Sequence, residues 1–287
     1  MWRSCALALD VCIYFMLYNE ARRIMKLDPN NIDAMSSVGD DLLGDGEDKY
    51  SGMVVSIDGC MYGIPKQSNR IVKYDPINDT TSYVGEEADR DFDCSGGAVG
   101  RDGCIYASIT GDGRVLKIDT ANNVHCFVGN SSVESNHRFK RGWGDTVLGI
   151  DGCIYWPPAS ARRILKYYPH TNKTSLVGGD FGNKEYKYQW YEGGCLASDG
   201  IIYCIPHDAE RILSIDPWKE YTSSLENNML QHPEQLGCIF HPSDDIPTDT
   251  NFNRAVTKFG HEKVFIMLKV VCLLLMKFTL YLISILS

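Results

Sequence analysis

The chain has 287 residues, 44% of them hydrophobic and 11% aromatic, with 26 glycines, so it can bury a sizeable core built from many short strands. A formal net charge of -9 and the lack of a dense Lys/Arg run exclude a general nucleic-acid binder, which needs a basic face against the phosphates. Eleven cysteines would suit a secreted disulfide scaffold, a reading that depends on where they fall in the pattern.

At the N-terminus, Ala6 to Tyr18 is largely apolar and follows Arg3, which invites a signal-peptide reading. Asp10 interrupts the run, and A-L-D-V-C-I-Y from Ala8 to Tyr14 aligns with A-S-D-G-I-I-Y from Ala197 to Tyr203. The segment therefore reads as two strands of a repeat, and no leader is expected. The repeat runs close to D-G-C-I-Y-x-x-P-x-x-x-x-R-I-L-K-x-D-P, followed by T-S-x-V-G. A worn copy starts at Asp10 and clean ones at Asp58, Asp102, Asp151 and Asp199. Its anchoring aromatics, Tyr14, Tyr62, Tyr106, Tyr155 and Tyr203, are 48, 44, 49 and 48 residues apart. That period suits one four-stranded propeller blade per copy.

In the last full copy, Gly194 to Ser198 reads as a strand, Asp199-Gly200 as a two-residue hairpin turn and Ile201 to Ile205 as its partner. Arg211 to Ile215 follows as a third strand, Asp216-Pro217 as a turn, and Tyr221 to Leu225 as the fourth. The expectation is an all-β protein, a β-propeller of about five four-stranded blades over residues 1–227. Blades are placed at about 1–39, 40–85, 86–129, 130–178 and 179–227, either closed as five or left as an incomplete ring.

Tyr62 to Val84, Tyr106 to Val128, Tyr155 to Val177 and Tyr203 to Leu225 all span 22 residues, whereas the stretch from that Val to the next Tyr varies between 22 and 27. Length variation is thus confined to the loops that join one blade to the next. Those loops share a face with the loops between second and third strands, which makes that face the candidate for binding. Cys12, Cys60, Cys104 and Cys153 occupy one equivalent position, and matching strands of adjacent blades lie farther apart than the roughly 7 Å a disulfide spans. They read as reduced core residues in a cytoplasmic protein. Sequons start at Asn78, Asn130 and Asn172; the first and last fall in one equivalent turn, where Asn serves turn chemistry.

After Leu225 the repeat decays. Gly237 to Pro242 resembles a second strand, but no R-I-L-K-x-D-P follows, so residues 228–262 read as a degraded repeat or linker. Residues 263–287 form a hydrophobic C-terminal helix in this reading, with an apolar stretch from Val264 to Leu286 long enough to cross a bilayer. Lys269 and Lys277 oppose that, at roughly 2.5 to 3.5 kcal/mol each near the bilayer centre. Three readings stay open: a membrane anchor, a helix packed on the propeller or a partner, and an unselected extension from a faulty gene end.

An arginine opens the third strand of every copy: Arg23, Arg70, Arg114, Arg163 and Arg211. Such a ring would bind an acidic peptide or phosphorylated ligand, or tie each loop to a neighbouring blade's carboxylate or carbonyl. Aromatic and basic residues gather in the variable loops at Lys49-Tyr50, Phe92, Lys140 to Trp143 and Lys187 to Trp190. They suit interaction hot spots, and packing between blades explains them as well. Asp89, Asp91 and Asp93 form an acidic loop, and Asp145, Glu192, His207 and Asp208 take upper-face positions. None shows zinc or calcium ligand spacing, and no nucleophile elbow or phosphate loop occurs.

The repeat resembles the β-propeller repeat families, loosely the kelch and YVTN/NHL-like kinds and most closely a G-C-I-Y-G-I-P type of large protist and algal proteins. The resemblance covers residues 1–227. Gly96-Gly97 and Gly193-Gly194 precede Tyr106 and Tyr203 as in kelch, but no regular Trp follows, so kelch partners do not carry over. The resemblance implies a ligand-binding platform or scaffold, and occasionally an enzyme. The expected function is non-catalytic binding of a protein or small anionic ligand without a cofactor. Its contacts would be Arg70, Arg114, Arg163, Arg211, Trp143, Tyr188 and Trp190. The competing reading is a metal-dependent hydrolase or lactonase centred on the channel, for which Asp93, Asp145, Glu192 and Asp208 would have to converge.

Overall fold

The computed structural model describes residues 2–17, 23–41, 49–89, 91–110, 113–130, 142–179 and 191–219. All of them lie in the first of two compact units, Met1–Ile239 and Phe240–Ser287. Tyr188, Trp190, the fourth strand expected at Tyr221 to Leu225, the linker and the hydrophobic C-terminal stretch fall outside the described residues. Among the described residues no helix is long and apolar enough to cross a membrane.

Five antiparallel sheets follow one another, each a meander whose strands pair in sequence order. Blade 1 comprises β1 (Trp2–Leu7), β2 (Ile13–Leu17), β3 (Ile24–Asp28) and β4 (Asn31–Val38). Blade 2 holds β5 (Tyr50–Val55), β6 (Met61–Pro65), β7 (Ile71–Asp75) and β8 (Thr80–Val84), and blade 3 holds β9 (Cys94–Val99), β10 (Ile105–Ile109), β11 (Val115–Asp119) and β12 (Val124–Val128). Blade 4 has β13 (Val147–Leu148), β14 (Ile154–Trp156), β15 (Ile164–Tyr168) and β16 (Lys173–Val177); blade 5 shows β17 (Tyr191–Leu196), β18 (Ile202–Pro206) and β19 (Leu213–Ile215). This is a five-bladed β-propeller. Its inner strands β1, β5, β9, β13 and β17 pack each against the next.

The turn between first and second strands differs from the expected two-residue Asp-Gly hairpin. In blade 2 the Gly59 amide donates to the Ser56 carbonyl at 3.0 Å, and the Ser56 amide to the Cys60 carbonyl at 2.9 Å. This is a three-residue loop with a left-handed residue at its end, which produces a bulge. The side chain of Asp58 causes it, because Oδ1 accepts the Cys60 amide at 3.0 Å. Gly59, Gly103, Gly152 and Gly200 take that last position with φ between 79° and 83°. Blade 1 has Val11 there at φ 68°. A β-branched residue in the left-handed region is strained by roughly 1–2 kcal/mol, so Val11→Gly is expected to stabilise the protein by about 1 kcal/mol in urea unfolding. Unchanged or lowered stability would mean that the turn relaxes around valine without strain.

Alternation along each strand sends one set of side chains to the preceding blade and the other to the following one. Tyr14, Ile24 and Met16 of blade 1 join Met61, Val72 and Tyr74 of blade 2 in one core. Blades 2 and 3, 3 and 4, and 4 and 5 build three further cores in the same way. Among the described residues, no core joins blade 5 to blade 1. The cysteines of the repeat, Cys12, Cys60, Cys104 and Cys153, are buried free thiols. Burial raises the Cys60 thiol and lifts that of Cys104 to about 11.

Candidate functional site

In a meander, the turns from first to second and third to fourth strand share one end of the sheet. In all five blades the turn Asp at that end accepts the anchoring Tyr hydroxyl, at 2.7–2.9 Å: Asp10 from Tyr14, Asp58 from Tyr62, Asp102 from Tyr106, Asp151 from Tyr155 and Asp199 from Tyr203. A lysine directly across from the Tyr on the third strand completes the set in four blades. Lys26, Lys73, Lys117 and Lys166 approach the same Asp Oδ2 at 2.9, 3.2, 3.3 and 3.1 Å and lie over the Tyr rings at 4.9–5.6 Å. Ser214 takes the lysine's place opposite Tyr203 in blade 5.

These contacts set the electrostatics of that end. Burial alone would raise the Asp58 carboxyl, but the Tyr62 hydroxyl, the Cys60 amide and the Lys73 ammonium hold it below the ordinary carboxylate range. The same balance lowers Asp10 and Asp102. Burial first, and then a carboxylate that accepts the hydroxyl's hydrogen bond and so favours the protonated form, pushes Tyr14 up to about 12 and Tyr62 higher still. Raised in this way, Tyr14 and Tyr62 keep their protons at neutral pH and serve as hydrogen-bond donors to the turn Asp.

The opposite end carries the arginines and the variable loops. The arginines that the structure details are tied to their own blade, where the sequence left open a link to a neighbouring blade. Arg70 pairs with Glu87, just past β8, and lies 4.7 Å from the Tyr83 ring centroid. Arg114 lies 5.0 Å from that of Phe127, and Arg163 Nε donates to the Gly178 carbonyl at 2.9 Å. The reason is register: β7 pairs Val72 with Tyr83 and β11 pairs Leu116 with Phe127, which brings the outermost strand's aromatic within reach of the arginine. Arg23 and Arg211 are exposed.

Trp143 is only 6% exposed. It belongs to the core between blades 3 and 4, and its indole N–H donates to the Arg163 carbonyl at 3.0 Å. Of the contact and packing roles considered for it, the geometry is that of packing. Its neighbour Gly142 offers one carbonyl to the amides of Ala159, Ser160 and Ala161 at 3.2, 3.1 and 2.7 Å, which fastens two upper loops together. Phe92 and Tyr50 are likewise buried. The loop ahead of blade 3 is tied down on the preceding one, with the Phe92 amide on the Ser68 carbonyl at 3.1 Å and that of Asp93 on Lys66 at 2.8 Å.

Asp145 puts a carboxylate where three other blades have glycine. Counted six residues back from the turn Asp, blades 2, 3 and 5 have Gly52, Gly96 and Gly193, while blade 4 has Asp145. A Cβ on Gly193 would come within 2.8 Å of the Asp145 Cβ, and one on Gly96 within 2.9 Å of its Cα. The glycines flanking it therefore make room for a carboxylate at the upper inner rim, where its amide also donates to the Glu192 carbonyl at 2.8 Å. Counting backwards from each Asp-Gly turn would have revealed this substitution. Of the other proposed metal carboxylates, Asp93 and Asp208 are exposed and Glu192 is half-buried. Among the described residues, no three His, Cys, Asp or Glu side chains gather as a metal site would require.

No family model matches the sequence. No curated protein matches it either. Among solved structures, the chain is similar to virginiamycin B lyase from Staphylococcus aureus, with TM-score 0.60 and 11% identity over 76% of this chain and 67% of that one. It is also similar to an auxiliary nutrient binding protein from Bacteroides thetaiotaomicron, with TM-score 0.52 and 14% identity over 75% of this chain and 55% of that one. The extracellular domain of a hybrid two component system from the same organism matches with TM-score 0.53 and 12% identity, over 75% of this chain and 29% of that one. At these identities the likeness shows the fold alone, shared by an enzyme and by binding proteins.

Proposed function

We propose that the chain is a non-catalytic binding module that takes a protein segment or small anionic ligand on the face opposite the Asp-Gly turns. The observation that carries this reading is the division of labour between the two ends. The Asp–Tyr pins of all five blades, joined by a lysine in four of them, occupy one end, whereas the arginine end is the one where loop lengths and rim side chains differ from blade to blade. Arg70, Arg114, Arg163 and Arg211 supply the cationic contacts on that face, with Tyr188 and Trp190 as aromatic ones, and Trp143 supports the loop from beneath. Free buried cysteines support a cytoplasmic setting, and Val264 to Leu286 would supply membrane association.

The test is fluorescence anisotropy with a fluorescein-labelled hexaglutamate peptide at low ionic strength, where exposed charges are least screened. Saturable binding is expected for the full chain, with affinity lowered about tenfold or more in Arg70→Ala/Arg114→Ala/Arg211→Ala, equivalent to about 1.4 kcal/mol. Equal binding by the triple variant, or no saturable binding at all, would sink the proposal.

A further inference from the structure

The four cores between blades follow one template. A blade's following face presents its anchoring Tyr and the residue at the start of its third strand, and the next blade's preceding face presents the residues on either side of those positions. On following faces that meet a neighbour, Ile24, Ile71, Val115 and Ile164 are 0–1% exposed. On preceding faces that meet one, Met61, Ile105, Ile154 and Ile202, with Val72, Leu116, Leu165 and Leu213, are 0–2% exposed.

Blades 1 and 5 each keep one such face without a neighbour among the described residues. In blade 1, Ile13 and Met25, the equivalents of Met61 and Val72, are only half-buried. Leu7, Ile13, Leu27 and Met35 form one apolar row across all four of its strands, Leu7 beside Ile13, Ile13 beside Leu27, and Leu27 beside Met35. Met35 at the outer end is 42% exposed. In blade 5, Ile212 is the equivalent of Ile24 and Ile71, yet it is 51% exposed, and Tyr203 and Ile205 beside it are half-buried. Apolar residues that are fully buried at the other four interfaces are here left partly open, with Met35 and Ile212 exposed, which is how an interaction surface presents itself.

The two faces are complementary halves of the interface that the chain already builds four times. We propose that copies of this chain associate head to tail, the fifth blade's Tyr203, Ile205 and Ile212 packing on Ile13, Met25 and Leu27 of a second copy. The contact is heterologous, since each copy offers one donor face and one acceptor face, so it propagates instead of stopping at a symmetric dimer. It uses blade faces and is independent of the loops that form the proposed binding surface.

Sedimentation velocity on the full chain tests it with two variants that block opposite ends, Leu27→Glu and Ile212→Glu. Across a dilution series the wild type is expected to shift reversibly from the 32.2 kDa monomer to larger species as concentration rises. Each variant alone should stay monomeric, because every copy in the sample lacks the same face. Their equimolar mixture should restore one discrete 1:1 dimer, formed by the intact fifth blade of the first variant and the intact first blade of the second. A monomeric wild type throughout, as intramolecular closure or cover by residues 220–287 would give, overturns the proposal, and so does a mixture that stays monomeric. Thermal melts check that both variants fold. If Leu27→Glu does not, Met35→Glu blocks the same face from a more exposed position.

Discussion

Replacing Asp151 by alanine is expected to cost about 3–5 kcal/mol of stability in urea unfolding, far more than the same change in any other blade. Lys166 Nζ lies 3.1 Å from Asp151 Oδ2, and the two side chains are 3% and 4% exposed. In blades 1 to 3 the corresponding pairs are 23–39% exposed. Removing Asp151 takes a carboxylate away from an ammonium buried between the rings of Tyr155 and Tyr168, each centroid 4.9 Å away. It also removes a carboxylate that accepts from the Tyr155 hydroxyl and the Cys153 amide. Asp58→Ala, where water reaches Lys73, should cost only about 1–2 kcal/mol, the value of its hydrogen bonds. The double variant Asp151→Ala/Lys166→Met should recover much of the loss, since an apolar pair needs no charge compensation. Equal costs at Asp151 and Asp58 would show that water enters the fourth blade and that the pair is not a dry one.

The repeat made the blade legible because four strands of fixed length recur with fixed turn residues, and the all-β, five-bladed architecture follows from that alone. The pins leave a trace in the sequence as a nearly constant spacing: Asp and Lys are 15 residues apart in blades 2 and 3 and 16 in blade 1. What the spacing lacks is the cross-strand register that sets Lys against Tyr. The same missing register made the arginines look like ties between blades, when stacking on Tyr83 and Phe127 keeps Arg70 and Arg114 within their own. The Asp-Gly pair suggested a two-residue turn because the Asp side chain's hold on the amide two residues ahead has no signature in apolar alternation. The angle between blades, which decides whether five of them close, depends on side-chain volumes across whole faces and has no local pattern in the chain.

Trp143→Ala is expected to lower stability by about 3–5 kcal/mol, the range for emptying a buried tryptophan site. At the size of this domain that is a fall in melting temperature of roughly 10 °C. Its position was interpretable from the repeat: eight residues before the turn Asp of blades 2 to 5 stand Tyr50, Cys94, Trp143 and Tyr191, all buried. Tyr191 repeats the capping role, its hydroxyl donating to the Arg211 carbonyl at 3.1 Å as the Trp143 indole donates to that of Arg163. Each large side chain thus holds the start of its inner strand against the loop that carries the arginine. Trp143→Phe should lose only about 1 kcal/mol, chiefly the hydrogen bond to Arg163. If the alanine variant melts like the wild type but no longer captures the hexaglutamate probe, Trp143 is a ligand contact and the packing role is wrong. If it melts early and the phenylalanine variant still binds, the tryptophan acts beneath the face, and the contacts lie with the arginines above it.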